Sequence, residues 1–253
     1  MTTGDGNDFA PAWSPDGRYI AFLRYREAPN TAVMLIPSLG GPERELTQLQ
    51  LDAIRFLMDG MWTPPSPLLA WSRDNQWLLT VQQGPSDTLR IVRVSVSSGE
   101  RKPLAFFGDS GTAGGQGNLP LASGDAGLAL SPDGRTLAFA RSVALPDSNL
   151  FVVGLSAEML PIGVPRSVHF ARSYVRGIAW TPDGNDLVVS SDRRGPAELW
   201  RVPIGSQREP ASLNVNDNDA ADVAVSKVGE RLVFHTIRVM WMSGERICAK
   251  LAI

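Results

Sequence analysis

Two features of the sequence predict an all-β fold, a β-propeller of about five four-stranded antiparallel blades. One turn motif returns along the whole chain, and its returns are spaced as blades are. The motif is Ala12-Trp13-Ser14-Pro15-Asp16-Gly17. It recurs as Ala70-Trp71-Ser72-Arg73-Asp74-Asn75, Ala129-Leu130-Ser131-Pro132-Asp133-Gly134 and Ala179-Trp180-Thr181-Pro182-Asp183-Gly184, with a worn copy at Ala224-Val225-Ser226-Lys227-Val228-Gly229. The second positions lie 58, 59, 50 and 45 residues apart. Periods of about 40–50 residues carrying four strands each belong to propeller blades, so the two longer periods imply insertions.

The motif turns the chain for identifiable reasons. Ser, Pro and Gly at its first, second and fourth turn positions suit a type I turn, in which proline presets φ and glycine takes the left-handed conformation. Apolar runs flank it, Phe9 to Trp13 before and Tyr19 to Phe22 after, which makes it a hairpin joint. Asp16, Asp74, Asp133 and Asp183 are accordingly turn residues rather than acids in a reaction. Trp13, Trp71 and Trp180 hold one place in three units and are expected to anchor neighbouring blades, with Gly17, Gly134 and Gly184 completing the structural repeat.

Taken in order, the first unit adds strands at 18–23, 32–36 and 44–47 to the opening run, the last two separated by Gly40-Gly41. The second has strands at 68–71, 77–81, 89–94 and 101–106, and the third at 128–130, 136–140, 150–153 and 166–170. The fourth has them at 177–180, 186–190, 198–202 and 210–214. In Leu199-Trp200-Arg201-Val202 the arginine falls at an alternating position, as a half-buried strand requires. The fifth begins with 222–226 and 231–235 and then deteriorates: Arg238 to Trp241 follows too closely for a normal loop, and 247–253 supplies the last hairpin. The chain is thus expected to be one propeller domain, 1–253, with blades at 9–48, 68–106, 127–170, 177–214 and 222–253 and insertions at 49–67 and 107–126. In the first insertion Ile54, Leu57, Met58 and Met61 make a helical stripe, which packs on the propeller or docks a partner. The second is rich in Gly and Ser and reads as a loop.

Bulk properties exclude several classes. At 253 residues with 43% hydrophobic content the chain can build packed sheets, and a net charge of −2 gives no signal for direct nucleic-acid binding. Cys248 stands alone, which excludes an internal disulfide framework. No apolar run approaches the ~20 residues that cross a bilayer. Residues 1–12 lack the apolar core of a signal peptide, so the default expectation is a cytoplasmic protein.

Trp-Ser-Pro-Asp-Gly-Arg-x-Ile/Leu-Ala-Phe, a strand, a Gly-Gly-type turn and a closing Arg-x-Leu-Thr together resemble the TolB-type, WD40-like β-propeller repeat. Residues 13–22 with 40–47 carry the resemblance, as do 130–139 and 180–189; the second unit departs from it at Arg73 and Asn75, and the fifth keeps Ser226 and Gly229. The chain also looks like the sensor propellers of bacterial winged-helix regulators and Ser/Thr kinases. The resemblance implies a non-catalytic protein-interaction or ligand-sensing module of a bacterial signalling or regulatory protein. The alternative is the propeller of a prolyl oligopeptidase-like hydrolase without its catalytic domain, since no Gly-x-Ser-x-Gly elbow occurs.

Other chemistry is weakly supported. Gly108-Asp109-Ser110-Gly111 looks like a serine-protease nucleophile segment, but only His169 and His235 are available as bases and neither sits in a partner motif. Asn214, Asn216, Asp217, Asn218, Asp219 and Asp222 gather oxygen ligands without the glycine and distal glutamate of a calcium loop, so a solvated joint is expected. No cofactor or metal is called for, and the sequence does not identify the protein or small-molecule ligand. The meander puts both insertions on one rim with Arg24, Tyr25, Arg26, Arg141, Arg193 and Arg194, a cluster suited to carboxylate or phosphate groups; a solvated charged rim is the alternative. Propellers of this repeat usually have six or more blades, so five suggest an incomplete ring. Its blade edges would invite self-association or a completing partner, whereas a tight five-bladed ring would not.

Overall fold

The computed structural model describes residues 4–27, 29–51, 66–84, 88–105, 124–144, 147–170, 173–193, 195–206, 208–215, 220–226, 231–236 and 250–252. Their regular structure is β throughout, in four meanders of four strands and a fifth with three described strands. The first is β1 (Asn7–Trp13), β2 (Tyr19–Glu27), β3 (Asn30–Pro37) and β4 (Arg44–Gln50); the second is β5 (Leu69–Trp71), β6 (Trp77–Gln83), β7 (Leu89–Ser95) and β8 (Arg101–Pro103). The third is β9 (Gly124–Leu130), β10 (Thr136–Ala144), β11 (Asp147–Leu155) and β12 (Pro161–Ser167), and the fourth is β13 (Val175–Trp180), β14 (Asp186–Ser191), β15 (Glu198–Pro203) and β16 (Ala211–Ser212). The fifth holds β17 (Ala220–Val225), β18 (Leu232–Thr236) and β19 (Lys250–Ala252). Every pairing within a meander is antiparallel, and the second and third meet through a parallel bridge between Leu89 and Gly124.

Several elements differ from the sequence expectation; β12, expected over 166–170, runs Pro161–Ser167. β9 takes in Gly124 to Ala126, placed above in the second insertion. A side chain at Gly124 would meet the Leu89 backbone oxygen at 2.2 Å, so the glycine that suggested a loop is what lets two blades touch. In the fifth meander the strand hydrogen-bonded to β18 is Lys250–Ala252; Arg238 to Trp241 lies outside the described residues, as do the helical stripe at 54–61 and the Gly-Ser loop at 108–123.

The core lies between blades. One cluster joins Leu23 and Leu35 of the first, Leu78, Val81 and Val92 of the second, and Phe139 and Val153 of the third. A second packs Leu150 against Val175, Trp180 and Trp200, and a third packs Val188 and Leu199 against Val223 and Phe234. Alternation along β2 sends Phe22 to the opposite face from Leu23, where it forms a separate cluster with Ala32, Met34 and Ile36. The innermost strands pack in sequence, β1 on β5, β5 on β9, β9 on β13 and β13 on β17; among the described residues no comparable packing joins β17 to β1. Val233 reflects this. It is 41% exposed, whereas Ala21, Leu79, Ala138 and Val188, at the same place in the other blades, are buried.

A cavity at the propeller axis

Each turn is held by the same small circuit. The Ser14 hydroxyl donates to Asp16 Oδ1 at 2.6 Å and accepts from the Tyr19 amide at 2.9 Å, while the Arg18 amide donates to Asp16 at 3.1 Å. Ser72 with Asp74, Ser131 with Asp133, and Thr181 with Asp183 repeat it at 2.5, 2.6 and 2.5 Å. The left-handed fourth position is Gly17, Gly134 and Gly184 at φ 72°, 73° and 70°, and Asn75 at 61° in the second unit, a residue that tolerates this region. In three of these turns the donors hold the carboxylate ionised: the Ser14 and Ser131 hydroxyls lower the pKa of Asp16 and Asp133, and the Thr181 hydroxyl, then the Asn185 amide, bring Asp183 to about 2.

The tryptophans follow one geometry with one departure. The Trp71 indole N–H donates to the Ala12 carbonyl of the preceding blade at 3.0 Å, and that of Trp180 to the Ala129 carbonyl at 2.9 Å. Both rings are buried, at 8% and 7% exposure. Trp13 is 62% exposed. Its place in the repeat is the same, but among the described residues no preceding blade covers it.

These turns and tryptophans ring a cavity of about 260 Å³ to which the first strands of all five blades contribute. Its mouth carries Trp13, Pro15, Arg73, Pro132, Pro182 and Ser226, and its walls include Leu69, Leu128, Ile178 and Val223. Pro67 lies at its base. There Ser66 donates from its amide to the Arg176 carbonyl and accepts from the Ile178 amide, each at 3.0 Å, and Leu128 donates to the Pro67 carbonyl at 2.6 Å. The segment leading into β5 therefore crosses to the third and fourth blades and underlies the cavity. Arg73 is the one charged side chain in the described lining. It stands where three other blades have proline, and among the described residues no hydrogen bond or ion pair engages it.

The arginine rim looks different from its sequence description. Arg24 is not on an open surface: it is 1% exposed, gripping Asp8 at 2.7 and 2.9 Å and Glu43 at 2.5 Å. It lies on the same face of β2 as Ile20 and Phe22, so alternation carries it inward. Arg141 grips Asp125 at 2.6 and 2.9 Å and lies over the Phe139 and Phe151 rings. Arg193 lies over Phe170 and Trp200, Arg26 pairs with Glu45 at 3.3 Å, and Tyr25 packs against the core. Arg194 is outside the described residues. Four of these arginines thus have intramolecular partners. The cross-strand Asp–Arg grip in blades one and three, with partners 16 residues apart in both, has its signal in the sequence as the equally spaced pairs Asp8…Arg24 and Asp125…Arg141.

The remaining candidates are dispersed. His169 stands 3.9 Å from Glu209, His235 3.4 Å from Asp222, and Gly108 to Gly111 and Asn216 to Asp219 lie outside the described residues. Among the described residues no group of three or more His, Cys, Asp or Glu is placed to hold a metal, and no helix is long and apolar enough to cross a membrane.

The four-stranded antiparallel blades around one axis define a β-propeller. The fold is that of TolB-type propellers. The chain is similar to a putative TolB from Agrobacterium tumefaciens, with a TM-score of 0.64 and 17% identity, over 92% of this chain and 70% of that one. TolB from Acinetobacter baumannii matches with a TM-score of 0.60 and 16% identity, over 95% and 48%. A structure from an analysis of two prolyl endopeptidases matches with a TM-score of 0.53 and 13% identity, over 94% of this chain and 33% of that one. The chain thus spans well under two thirds of the last two. No protein-family model and no curated protein matches it by sequence.

Proposed function

We propose that this chain is a non-catalytic binding module, a part of a bacterial signalling or regulatory protein, that takes its ligand in the axial cavity. One observation carries the reading: five blades converge on a concave site, lined mostly by apolar residues, whose described lining holds a single charge, unengaged among the described residues, the form of a ligand site. The rim is the weaker candidate, because its described arginines are engaged with Asp8, Glu43, Glu45, Asp125 and aromatic rings. The likeness to prolyl endopeptidase structures supports a second reading, the accessory propeller of a hydrolase.

Calorimetric titration with N-acetyl-leucyl-phenylalanine amide tests the first. Ala224 is exposed and lines the cavity, so Ala224→Trp narrows the mouth without touching the core. Saturable binding should weaken at least tenfold in that variant. Binding that is indifferent to it would place the site elsewhere.

A further inference from the structure

The cavity has two polar features that its repeat does not account for, and they specify a ligand together. The first is Arg73. Pro15, Pro132 and Pro182 occupy its position in other blades. Proline suits the second position of this turn better than arginine does, so turn formation does not explain the substitution. The Arg73 Cβ lies close to the neighbouring turn, where a side chain added at Gly134 would stand 3.2 Å from it. Arg73 is exposed, unengaged among the described residues, and is the one charge in the described lining. A planar guanidinium matches one carboxylate through two parallel hydrogen bonds.

The second is the indole N–H of Trp13. In the two equivalent tryptophans this group donates to a main-chain carbonyl, Ala12 or Ala129, on the neighbouring blade. Trp13 lines the cavity mouth with most of its ring exposed, and no hydrogen bond from its indole is formed among the described residues. The group the fold normally offers to it is a peptide carbonyl at the end of a β-strand. The rest of the described lining is mostly apolar, Leu, Ile, Val, Ala, Pro and the Trp71 and Trp180 rings, with Ser131 and Ser226 from the turns.

On the footing that the axial cavity is the binding site, we infer that it takes the C-terminal end of an extended, apolar polypeptide. The terminal carboxylate pairs with Arg73, a preceding carbonyl accepts from Trp13, and the last apolar side chains fill the cavity. A free organic acid would satisfy Arg73 alone. A phosphate, with its second charge, would be left short of donors in a lining with one cation.

The test is a comparison of N-acetyl-leucyl-phenylalanine as free acid and as amide, with 3-phenylpropionate as an acid lacking peptide bonds, by calorimetry at low salt. The acid should bind about three- to tenfold more tightly than the amide, a preference that shrinks as salt screens the exposed pair. Arg73→Pro restores the repeat residue and Arg73→Gln keeps the stem; in both the preference should fall to about one. Trp13→Phe keeps a ring without the donor and should weaken the peptide acid severalfold while leaving 3-phenylpropionate unaffected. Equal binding of acid and amide in the unaltered protein, or a preference that survives both Arg73 variants, overturns the inference while the cavity site stands. Binding of 3-phenylpropionate as tightly as the peptide acid overturns the peptide assignment. If neither peptide binds, or Ala224→Trp does not weaken them, the cavity reading falls and takes this one with it.

Discussion

Truncating the three repeat tryptophans one at a time should give unequal losses, although the sequence treats them alike. Trp180 is 7% exposed and its indole holds the Ala129 carbonyl at 2.9 Å. Burying a large aromatic side chain removes about 150–250 Å² from water, which at ~25 cal/mol per Å² is worth roughly 4–6 kcal/mol as an upper figure. Core aromatic-to-alanine changes are observed at about 3–5 kcal/mol. Trp180→Ala and Trp71→Ala should fall in that range, each including about 1 kcal/mol for the carbonyl left without its donor. Trp13 keeps little more than a third of its surface covered, so the same arithmetic gives about 1–2 kcal/mol for Trp13→Ala. Urea unfolding followed by circular dichroism measures all three, with the slope checked for constancy so that midpoints compare directly. Equal losses for Trp13→Ala and Trp180→Ala would refute the reasoning, and would mean that Trp13 is covered in solution, as in a blade-to-blade joint.

Arg24→Ala leaves Asp8 and Glu43 facing each other without their shared cation. It should destabilise by about 3 kcal/mol, because one partner of a buried ion group has been removed, and the triple variant Asp8→Asn, Arg24→Met, Glu43→Gln should recover most of it; no recovery in urea titrations would reject the pairing as the cause. Acid should weaken the turns in a defined window. The folded-state pKa values of Asp16, Asp133 and Asp183 are depressed, Asp183 to about 2, so the unfolded chain takes up protons first. Their contribution is complete above the ordinary aspartate pKa of ~4 and is lost as pH falls toward 2. Asp183→Asn should flatten the stability-versus-pH slope between those limits, and an unchanged slope would show that the Thr181 and Asn185 donors do not hold the carboxylate.

The turns were legible because their chemistry is local. A hydroxyl, a carboxylate two residues on and a left-handed glycine after it specify Ser14 to Gly17 with no help from the rest of the chain. The inter-blade role of Trp71 and Trp180 was legible from spacing, but the exposure of Trp13 was not, since it depends on what stands beside the first blade. The burial of Arg24 is less legible, for a different reason. A charged residue near a strand end reads as surface, yet its alternation with Ile20 and Phe22, and Asp8 across the strand, carried the opposite signal. The cavity had no sequence signature beyond the odd Arg73, because its lining is contributed three to six residues at a time by blades whose first strands are separated by tens of residues.

Ser66 and Pro67 alter how the molecule comes apart. In a repeat fold held only by contacts between successive units, an end blade can peel away while the remainder persists. Here the lead-in to the second blade is stitched to the third at Leu128 and to the fourth at Arg176 and Ile178. Losing the fourth blade therefore breaks hydrogen bonds made by the second, and the three should melt in one step. The first and fifth blades, which this strap does not touch, are left free to fray at lower denaturant. Hydrogen exchange would show that division as two tiers of protection, with the floor of the cavity in the slower tier.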